Sequence, residues 1–260
     1  MASGPLHVQT MTVLICGANG SIGNIVAQEE SKTNKVVGTY RNQDEQTKVL
    51  EQHSNITLIK KDVLESTDMK DVVDKARQLG TISKVYWLLG ESWNIGWDKA
   101  KLEDFQKAIQ VCAEPLASLL IECKPELNDD NNLMRWVSIS GLSSLIYAGG
   151  PNKPVTGSAK HMAEFYFKSA SAFWTWKKNL FNNVILGNSK RTKNLHIGYP
   201  QDKLKEIYAK DIPIGTATDP SNVAELLLWL NSDKNNFMTG QDIIFDGGES
   251  IRTRDNITNQ

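Results

Sequence analysis

The chain has 260 residues, of which 40% are hydrophobic, enough for one sizeable core of the kind that α/β domains of this length form. Its 29 basic and 30 acidic residues nearly cancel, which argues against a nucleic-acid-binding surface. No apolar run reaches ~18 residues, so a membrane span is not expected. The three cysteines form no CxxC pair and the histidines show no ligand spacing, so neither a disulfide framework nor a metal site is predicted.

Residues 1–11 lack the basic start and the apolar stretch of a secretory signal. We expect them to be a flexible leader of a cytoplasmic protein.

From residue 12 onward, short apolar runs of strand length alternate with helix-length periodic segments. The predicted strands are 12–17, 35–40, 56–63, 84–90, 134–140, 182–187 and 242–248. A long helix with a proline inside is predicted over 101–127, and another helix over 158–180. Such alternation is typical of a parallel sheet covered by helices on both faces. We therefore predict one α/β domain over 12–260, with a doubly wound parallel sheet of seven strands. The aperiodic segment 188–212 is expected to form a lid-like insertion.

The segment CGANGSIG (16–23) joins the first predicted strand to the first helix. Gly17 permits a tight turn, Gly20 lets the backbone approach a pyrophosphate, and Gly23 lets the helix pack closely on the strand. The free N–H groups of the helix N-terminus complete an anion site. This context favours dinucleotide binding over a plain tight turn, and the other residues predicted to touch the cofactor here are Asn19, Ser21 and Ile22.

The second strand ends in Tyr40 and Arg41, where an NAD site usually carries an acidic residue. An arginine fork suits the 2′-phosphate of NADP, so NADP(H) is the predicted cofactor, with a merely solvated arginine as the alternative. Asp62 and Val63, at the end of the third strand, are predicted to lie beside the adenine. For Asp62 the alternative is a helix cap.

At this point the sequence resembles the short-chain dehydrogenases/reductases over about residues 12–250. The resemblance rests on the glycine turn, KKDV (60–63), LLG (88–90), Lys160, NNVILG (182–187), and the stretch from IPIGTATDP (212–220) to DGGESI (246–251). It implies a Rossmann fold, an NADP(H)-dependent oxidoreductase with a small-molecule substrate, and a homodimer or homotetramer. Further cofactor contacts implied by the resemblance are those of Leu88, Leu89, Gly90, Lys160 and Gly187.

The chemistry of that family uses a tyrosine, a lysine, a serine and an asparagine. The resemblance matches only the lysine cleanly, as Lys160. Thr156 stands at the tyrosine position, four residues before the lysine, and Cys112 stands at the asparagine position. A threonine hydroxyl is a poor acid near neutral pH and cannot replace the phenol directly in general acid catalysis.

The serine position falls on Gly141 or, allowing an insertion, on Ser140 or Ser143. Ser143 precedes Thr156 by 13 residues, the usual interval in the family. Tyr147 and Tyr199 are candidates for a displaced acid, with a loop or packing role as the alternative.

Tryptophans mark two further regions. Trp93 and Trp97 follow the fourth strand, where they either line a pocket or pack. Trp174 and Trp176 on the predicted helix 158–180 suit the core or a subunit interface.

Two functions fit this pattern. The first is an atypical NADP-dependent reductase of a carbonyl or related small molecule, in specialised or biosynthetic metabolism, with Lys160, Ser143, Thr156 or Tyr147 assisting the developing alkoxide. The second is a non-catalytic NADP-binding sensor, or a partner subunit of an active paralogue of the same family.

Overall fold

The computed structural model describes residues 10–145, 153–189 and 201–251. Seven strands form one sheet in the order β3-β2-β1-β4-β5-β6-β7, and every neighbouring pair is parallel. The strands are β1 Met11–Cys16, β2 Lys35–Tyr40, β3 Ile56–Lys60, β4 Thr81–Trp87, β5 Arg135–Gly141, β6 Leu180–Leu186 and β7 Gln241–Phe245. The predicted doubly wound parallel sheet is confirmed.

Helices cover both faces of the sheet because each face of a parallel sheet is apolar. The helices are α1 Ser21–Glu30, α2 Glu45–Glu51, α3 Lys70–Leu79, α4 Leu102–Cys112, α5 Glu114–Glu122, α6 Lys124–Leu127, α7 Pro154–Trp174, α8 Gln201–Asp211 and α9 Pro220–Leu230. One buried cluster joins the sheet to α3, α5 and α7 through Val72, Leu116 and Phe167. A second joins the opposite face to α1 and α9 through Val26 and Leu227.

The prediction of one continuous helix over 101–127 is wrong. The segment is divided into α4, α5 and α6, with breaks at Ala113 and Cys123. Pro115 and Pro125 lie in the first turns of α5 and α6. A proline is tolerated there because the first helical N–H groups have no partner within the helix, whereas in the interior it breaks the helix.

The predicted lid-like segment 188–212 contains a helix, because α8 spans Gln201–Asp211. Leu204, Tyr208 and Ile212 recur every four residues and are buried together with Ala217. This short stripe forms a cluster separate from the main core. Residues 190–200 lie outside the described residues, and a lid role stays a prediction.

The first strand begins one residue inside the predicted leader. Met11 pairs with Thr81 in the sheet, and the carbonyl of Thr10 accepts a hydrogen bond from the N–H of Thr81 at 3.0 Å. Residues 1–9 lie outside the described residues. Among the helices that are described, none combines the length and the apolar character that crossing a membrane requires.

Candidate active site

The glycine turn between β1 and α1 has the backbone geometry that an anion site requires. Gly17 has a φ of +89°, in the left-handed region that favours glycine. A Cβ on Gly23 would stand 2.2 Å from the carbonyl oxygen of Gly17, so only glycine fits there. Gly20 is extended at the N-cap of α1, and no side chain of the described residues caps the helix. The N-terminal amides of α1 therefore suit a diphosphate.

Other residues of the turn hold it in place. The side-chain amide of Asn19 donates to the carbonyl of Asn42 at 2.9 Å and to the Oγ1 of Thr47 at 3.2 Å, which ties the turn to the start of α2. Ile22 packs against the buried cluster beneath α1. The amide of Asn19 thus has a structural use that the sequence did not suggest, and its predicted contact with the cofactor stays a prediction.

Arg41 follows β2 at the same edge of the sheet, beside the glycine turn. Its side chain is 47% exposed, and its Nη1 lies 3.4 Å from Oε2 of Glu91, which follows β4. An exposed pair of this kind contributes only about 0–1 kcal/mol, so a phosphate can compete for the arginine. Tyr40 next to it is partly buried. Glu91 is a residue that sequence reasoning missed.

Asp62 and Val63 lie just after β3, which ends at Lys60. Oδ1 of Asp62 accepts a hydrogen bond from the N–H of Leu64 at 3.0 Å, within the turn that follows β3. The alternative role as a helix cap is wrong, because the next helix, α3, begins at Lys70. Val63 is 7% exposed and packs with α4 and α7. Both residues lie at the carboxyl edge of the sheet, where ligands bind in open α/β folds.

Lys160, on the second turn of α7, reaches toward the ends of β4 and β5 between two glycines. A Cβ on Gly141 would lie 3.2 Å from Nζ of Lys160, and a Cβ on Gly90 would lie 4.0 Å from its Cε. The two glycines leave space for the lysine to reach the sheet edge. Gly187 follows β6 at the same edge, where a Cβ would lie 2.8 Å from Asp246.

Leu88 and Leu89 precede Gly90. The N–H of Leu88 bonds to the carbonyl of Cys16 at 3.0 Å, which extends the pairing of β1 and β4 toward the glycine turn.

Thr156 is fully buried on the first turn of α7, one turn before Lys160. Its hydroxyl donates to the carbonyl of Trp93 at 2.8 Å and accepts from the N–H of Trp93 at 2.7 Å. The hydroxyl of Thr156 therefore donates to and accepts from the loop after β4, and the threonine anchors that loop to α7.

The surroundings of Lys160 shift its pKa in both directions. Burial lowers the pKa of Lys160, while charge on Cys112 and Glu164 opposes that shift and Lys153 adds to it. Cys112 is 2% exposed, its Sγ contacts the carbonyl of Glu91 at 3.9 Å, and burial raises the pKa of its thiol.

The three candidates for the serine position lie at different depths. Gly141 is the one next to Nζ of Lys160. Ser140 points beneath the site, where its Oγ is buried without a hydrogen-bond partner in the described part of the chain. Ser143 lies in the 3-10 turn Leu142–Ser144 and is partly buried. Tyr147 and Tyr199 lie outside the described residues.

The tryptophans separate into packed and exposed groups. Trp93 packs against the cluster formed by α4 and α7, and the Trp97 side chain is 71% exposed with its ring 5.7 Å from that of Phe105. Trp174 packs against the core and bonds to Asn128, whereas Trp176 is 90% exposed. Within the described ranges, no group of three acidic, histidine or cysteine side chains could hold a metal ion.

Comparisons with known proteins agree with this architecture. The family model described as enoyl-(acyl carrier protein) reductase matches residues 17–250. A Rickettsia conorii protein, the 3-oxoacyl-(acyl-carrier-protein) reductase FabG, is 25% identical over 241 residues, which cover 91% of this chain and 95% of that protein. The Sphingobium indicum 2,5-dichloro-2,5-cyclohexadiene-1,4-diol dehydrogenase LinX is 28% identical over 163 residues, 60% of each chain.

Solved structures also share the fold of this chain. The structure titled "ElxO with NADP Bound" superposes with a TM-score of 0.81 at 24% identity and covers 94% of this chain and 100% of that one. A mutant of a Serratia marcescens short-chain dehydrogenase/reductase superposes with a TM-score of 0.79 at 18% identity, covering 94% of this chain and 99% of that one. With the family model matching most of its length, the chain belongs to the short-chain dehydrogenase/reductase family.

Proposed function

We propose that the protein is an NADP(H)-dependent reductase of a carbonyl or related small molecule, and that its active site works without the tyrosine usual in its family. The observation that carries this proposal is the position of Lys160 between Gly90 and Gly141, at the sheet edge that also carries the glycine turn. The lysine and the anion-binding turn thus share one edge, as hydride transfer from a dinucleotide requires.

The residues that would hold the cofactor fit its shape and charge. The glycine turn and the N-terminus of α1 would hold the diphosphate, and Arg41 would hold the 2′-phosphate. Leu88, Leu89, Gly90 and Gly187 would line the nicotinamide half. The similar structure "ElxO with NADP Bound" supports NADP(H) as the cofactor. So does the sequence after β2, where Tyr40 and Arg41 stand and no acidic residue does. When bound, the cofactor supplies the hydride.

The chain's own part in the reaction is to orient the substrate and to provide a proton. Lys160 is the cationic group proposed to stabilise the alkoxide that develops on the substrate oxygen. We assign no such role to Thr156, because its hydroxyl is buried against the backbone of Trp93. Ser143 remains a candidate for positioning the substrate oxygen from the 3-10 turn after β5.

The test is a fluorescence titration with NADPH and NADH, followed by NADPH consumption with a panel of ketones and quinones. We expect tighter binding of NADPH and turnover with at least one carbonyl class. Binding without turnover on any of them would favour the alternative, a non-catalytic NADP-binding sensor or partner subunit.

We also propose that the protein acts as a cytoplasmic homodimer or homotetramer. Large apolar side chains on and after α7 support an interface, because Phe165, Phe173 and Trp176 are 67%, 70% and 90% exposed. Sedimentation equilibrium that finds only a 29.0 kDa species at micromolar concentration would contradict this.

A further inference from the structure

A small cavity with both polar and apolar walls lies beneath Lys160, between the sheet and helices α4, α5 and α7. Its polar lining comprises Cys112, Ser138, Ser140, Lys160, Glu164 and Asn183. The space that it leaves for the centres of water molecules is about 20 Å³. One water requires roughly 10–15 Å³ by that measure, so the cavity has room for a single molecule.

Two buried polar atoms lack a protein partner in this region. Within the described residues, neither Oγ of Ser140 nor Oε1 of Glu164 has a hydrogen-bond partner, although both atoms are inaccessible to solvent. The Glu164 side chain is 10% exposed. A buried polar atom left unpaired costs about 1–3 kcal/mol, so a water that satisfies both atoms would be retained.

Two other polar residues of the lining, Ser138 and Asn183, already have hydrogen-bond partners in the protein. Oγ of Ser138 donates to Oδ1 of Asn183 at 2.7 Å, and the amide of Asn183 donates to Asp242 at 3.2 Å. The unsatisfied part of the cavity is therefore the part next to Glu164 and Ser140.

Glu164 also connects the cavity to the surface. Its Oε2 lies 3.4 Å from Nδ1 of His161, one turn earlier on α7, and the His161 side chain is 69% exposed. One carboxylate thus has one oxygen buried in the cavity and the other beside a titratable group in contact with solvent.

We propose that Glu164 is a positioning residue that conducts protons between solvent, at His161, and Lys160, through one water held in this cavity. This inference rests on the proposed function. It assigns a route for the proton that the tyrosine and asparagine positions no longer offer, because Thr156 is bonded to the backbone of Trp93 and Cys112 is a buried thiol.

The proton count balances in the direction of reduction. As hydride bonds to the carbonyl carbon, the C=O electron pair moves to the oxygen, which takes a proton from the Lys160 ammonium. The amine regains a proton from the cavity water. The water is reprotonated from His161 through Glu164: the His161 imidazolium passes a proton to the Glu164 carboxylate, the resulting carboxyl passes it to the water and is a carboxylate again, and His161 takes a proton from solvent.

The charges around Lys160 affect its pKa, which can be measured. Cys112 on α4 and Glu164 on α7 favour the protonated lysine, and Lys153 just before α7 disfavours it. Removing the charge of Glu164 therefore lowers the pKa of Lys160. This effect is present in the cofactor-free protein and does not depend on turnover.

The experiment measures the titration of Lys160 in the cofactor-free protein by competitive acetylation with acetic anhydride as the pH is varied, read at Lys160 by mass spectrometry. Glu164→Gln is compared with wild type and with Glu103→Gln, an exposed residue of α4. We expect the titration midpoint of Lys160 to fall in Glu164→Gln and to stay unchanged in the control.

With NADPH and a carbonyl substrate, Glu164→Gln should lower kcat about 10- to 100-fold with little change in KM, with an altered pH profile, since general acid–base assistance contributes at least that much. The exposed His161→Asn should lower kcat less, because water can replace the imidazole. A high-resolution crystal structure of the wild type should show one water bonded to Glu164 and Ser140.

An unchanged Lys160 midpoint in a folded Glu164→Gln variant, or a dry cavity in the crystal, would overturn the relay. Failure of the wild type to bind NADPH would instead overturn the proposed function while leaving the Lys160 titration interpretable.

Discussion

The hydroxyl of Thr156 is bonded on both sides to the backbone of Trp93, at 2.8 Å to the carbonyl and 2.7 Å from the N–H. The threonine thus anchors the loop after β4 against the first turn of α7. The backbone of Trp93 occupies space next to the hydroxyl, into which a larger side chain at this position would extend.

This contact predicts a stability difference between two conservative substitutions. Thr156→Val removes the hydroxyl, so the N–H and the carbonyl of Trp93 each lose the hydrogen bond that they form with it. We therefore expect the free energy of unfolding to fall by about 1–3 kcal/mol. Thr156→Ser keeps both bonds and should remain close to wild type. Urea denaturation checks this, and a Thr156→Val protein as stable as wild type would contradict the anchoring role.

Restoring the family residue should not restore its chemistry. In Thr156→Tyr the ring would meet the backbone of Trp93, and overpacking of this kind typically costs about 1–3 kcal/mol. We expect a destabilised protein with no gain in NADPH-dependent carbonyl reduction. A stable Thr156→Tyr variant that reduces ketones faster than wild type would show that the site retains room for the phenol.

Arg41 is predicted to select NADPH over NADH. Hydrogen bonds to charged groups are worth about 1.5–3 kcal/mol, so Arg41→Ala should weaken NADPH binding by roughly 10- to 100-fold and leave NADH unchanged. Glu91→Gln should strengthen NADPH binding, because it removes the carboxylate that lies 3.4 Å from Arg41. Fluorescence titration measures both effects, with Lys48→Ala, an exposed lysine of α2, as the control for loss of charge. Equal wild-type affinities for the two cofactors would contradict this assignment.

Substitutions at two glycines of the turn should affect different properties: Gly23→Ala should reduce stability, and Gly20→Ala should reduce NADPH binding. Gly23→Ala would bring a Cβ to 2.2 Å from the carbonyl oxygen of Gly17, so we expect clear destabilisation. At Gly20 the nearest atom to a new Cβ is that same oxygen at 3.3 Å, so Gly20→Ala should fold. Its methyl group would face the diphosphate and weaken NADPH binding. Calorimetry and NADPH titration of both variants check this, and unaltered NADPH affinity in Gly20→Ala would count against a diphosphate at the turn.

Lys160 should make stability depend on pH at the alkaline end. Because burial lowers its pKa in the folded chain, the unfolded chain binds more protons between that lowered pKa and the ordinary lysine value of 10.5. The contribution of Lys160 to the free energy of unfolding therefore increases with pH over this interval. Lys160→Met should be more stable than wild type at neutral pH, and the difference should shrink as the pH rises through the interval.

Urea unfolding at several pH values measures this difference, with Lys205→Met, an exposed residue of α8, as the control. A Lys160→Met protein that is less stable than wild type at neutral pH would show that the lysine stabilises the fold.

The strand–helix alternation and the glycine turn were sufficient to predict the sheet, because apolar runs and turn glycines are local signals. Other features depend on contacts between distant segments. The bonds between Thr156 and Trp93 join residues 63 positions apart, and those between Arg41 and Glu91 join residues 50 apart. The breaks at Ala113 and Cys123 are another difference from the prediction of one continuous helix, because Pro115 and Pro125 occupy the first turns of separate helices.

Glu164 could have been noticed from its spacing, four residues after Lys160 on a predicted helix, because such residues share a face. Its burial, and the lack of a hydrogen-bond partner for its Oε1 among the described residues, depend on how α7 packs on the sheet, and no local pattern encodes that packing.

The most direct measurement is the single-turnover rate of NADPH oxidation with a carbonyl substrate, compared among wild type, Thr156→Ala and Lys160→Met under conditions where each is folded and saturated with NADPH. Loss of a true general acid typically lowers the rate ~10²–10⁴-fold. We expect a loss of that order for Lys160→Met and a far smaller loss for Thr156→Ala. A Thr156→Ala protein that binds NADPH normally but no longer oxidises it would contradict the proposal that Lys160, and not Thr156, serves the substrate oxygen.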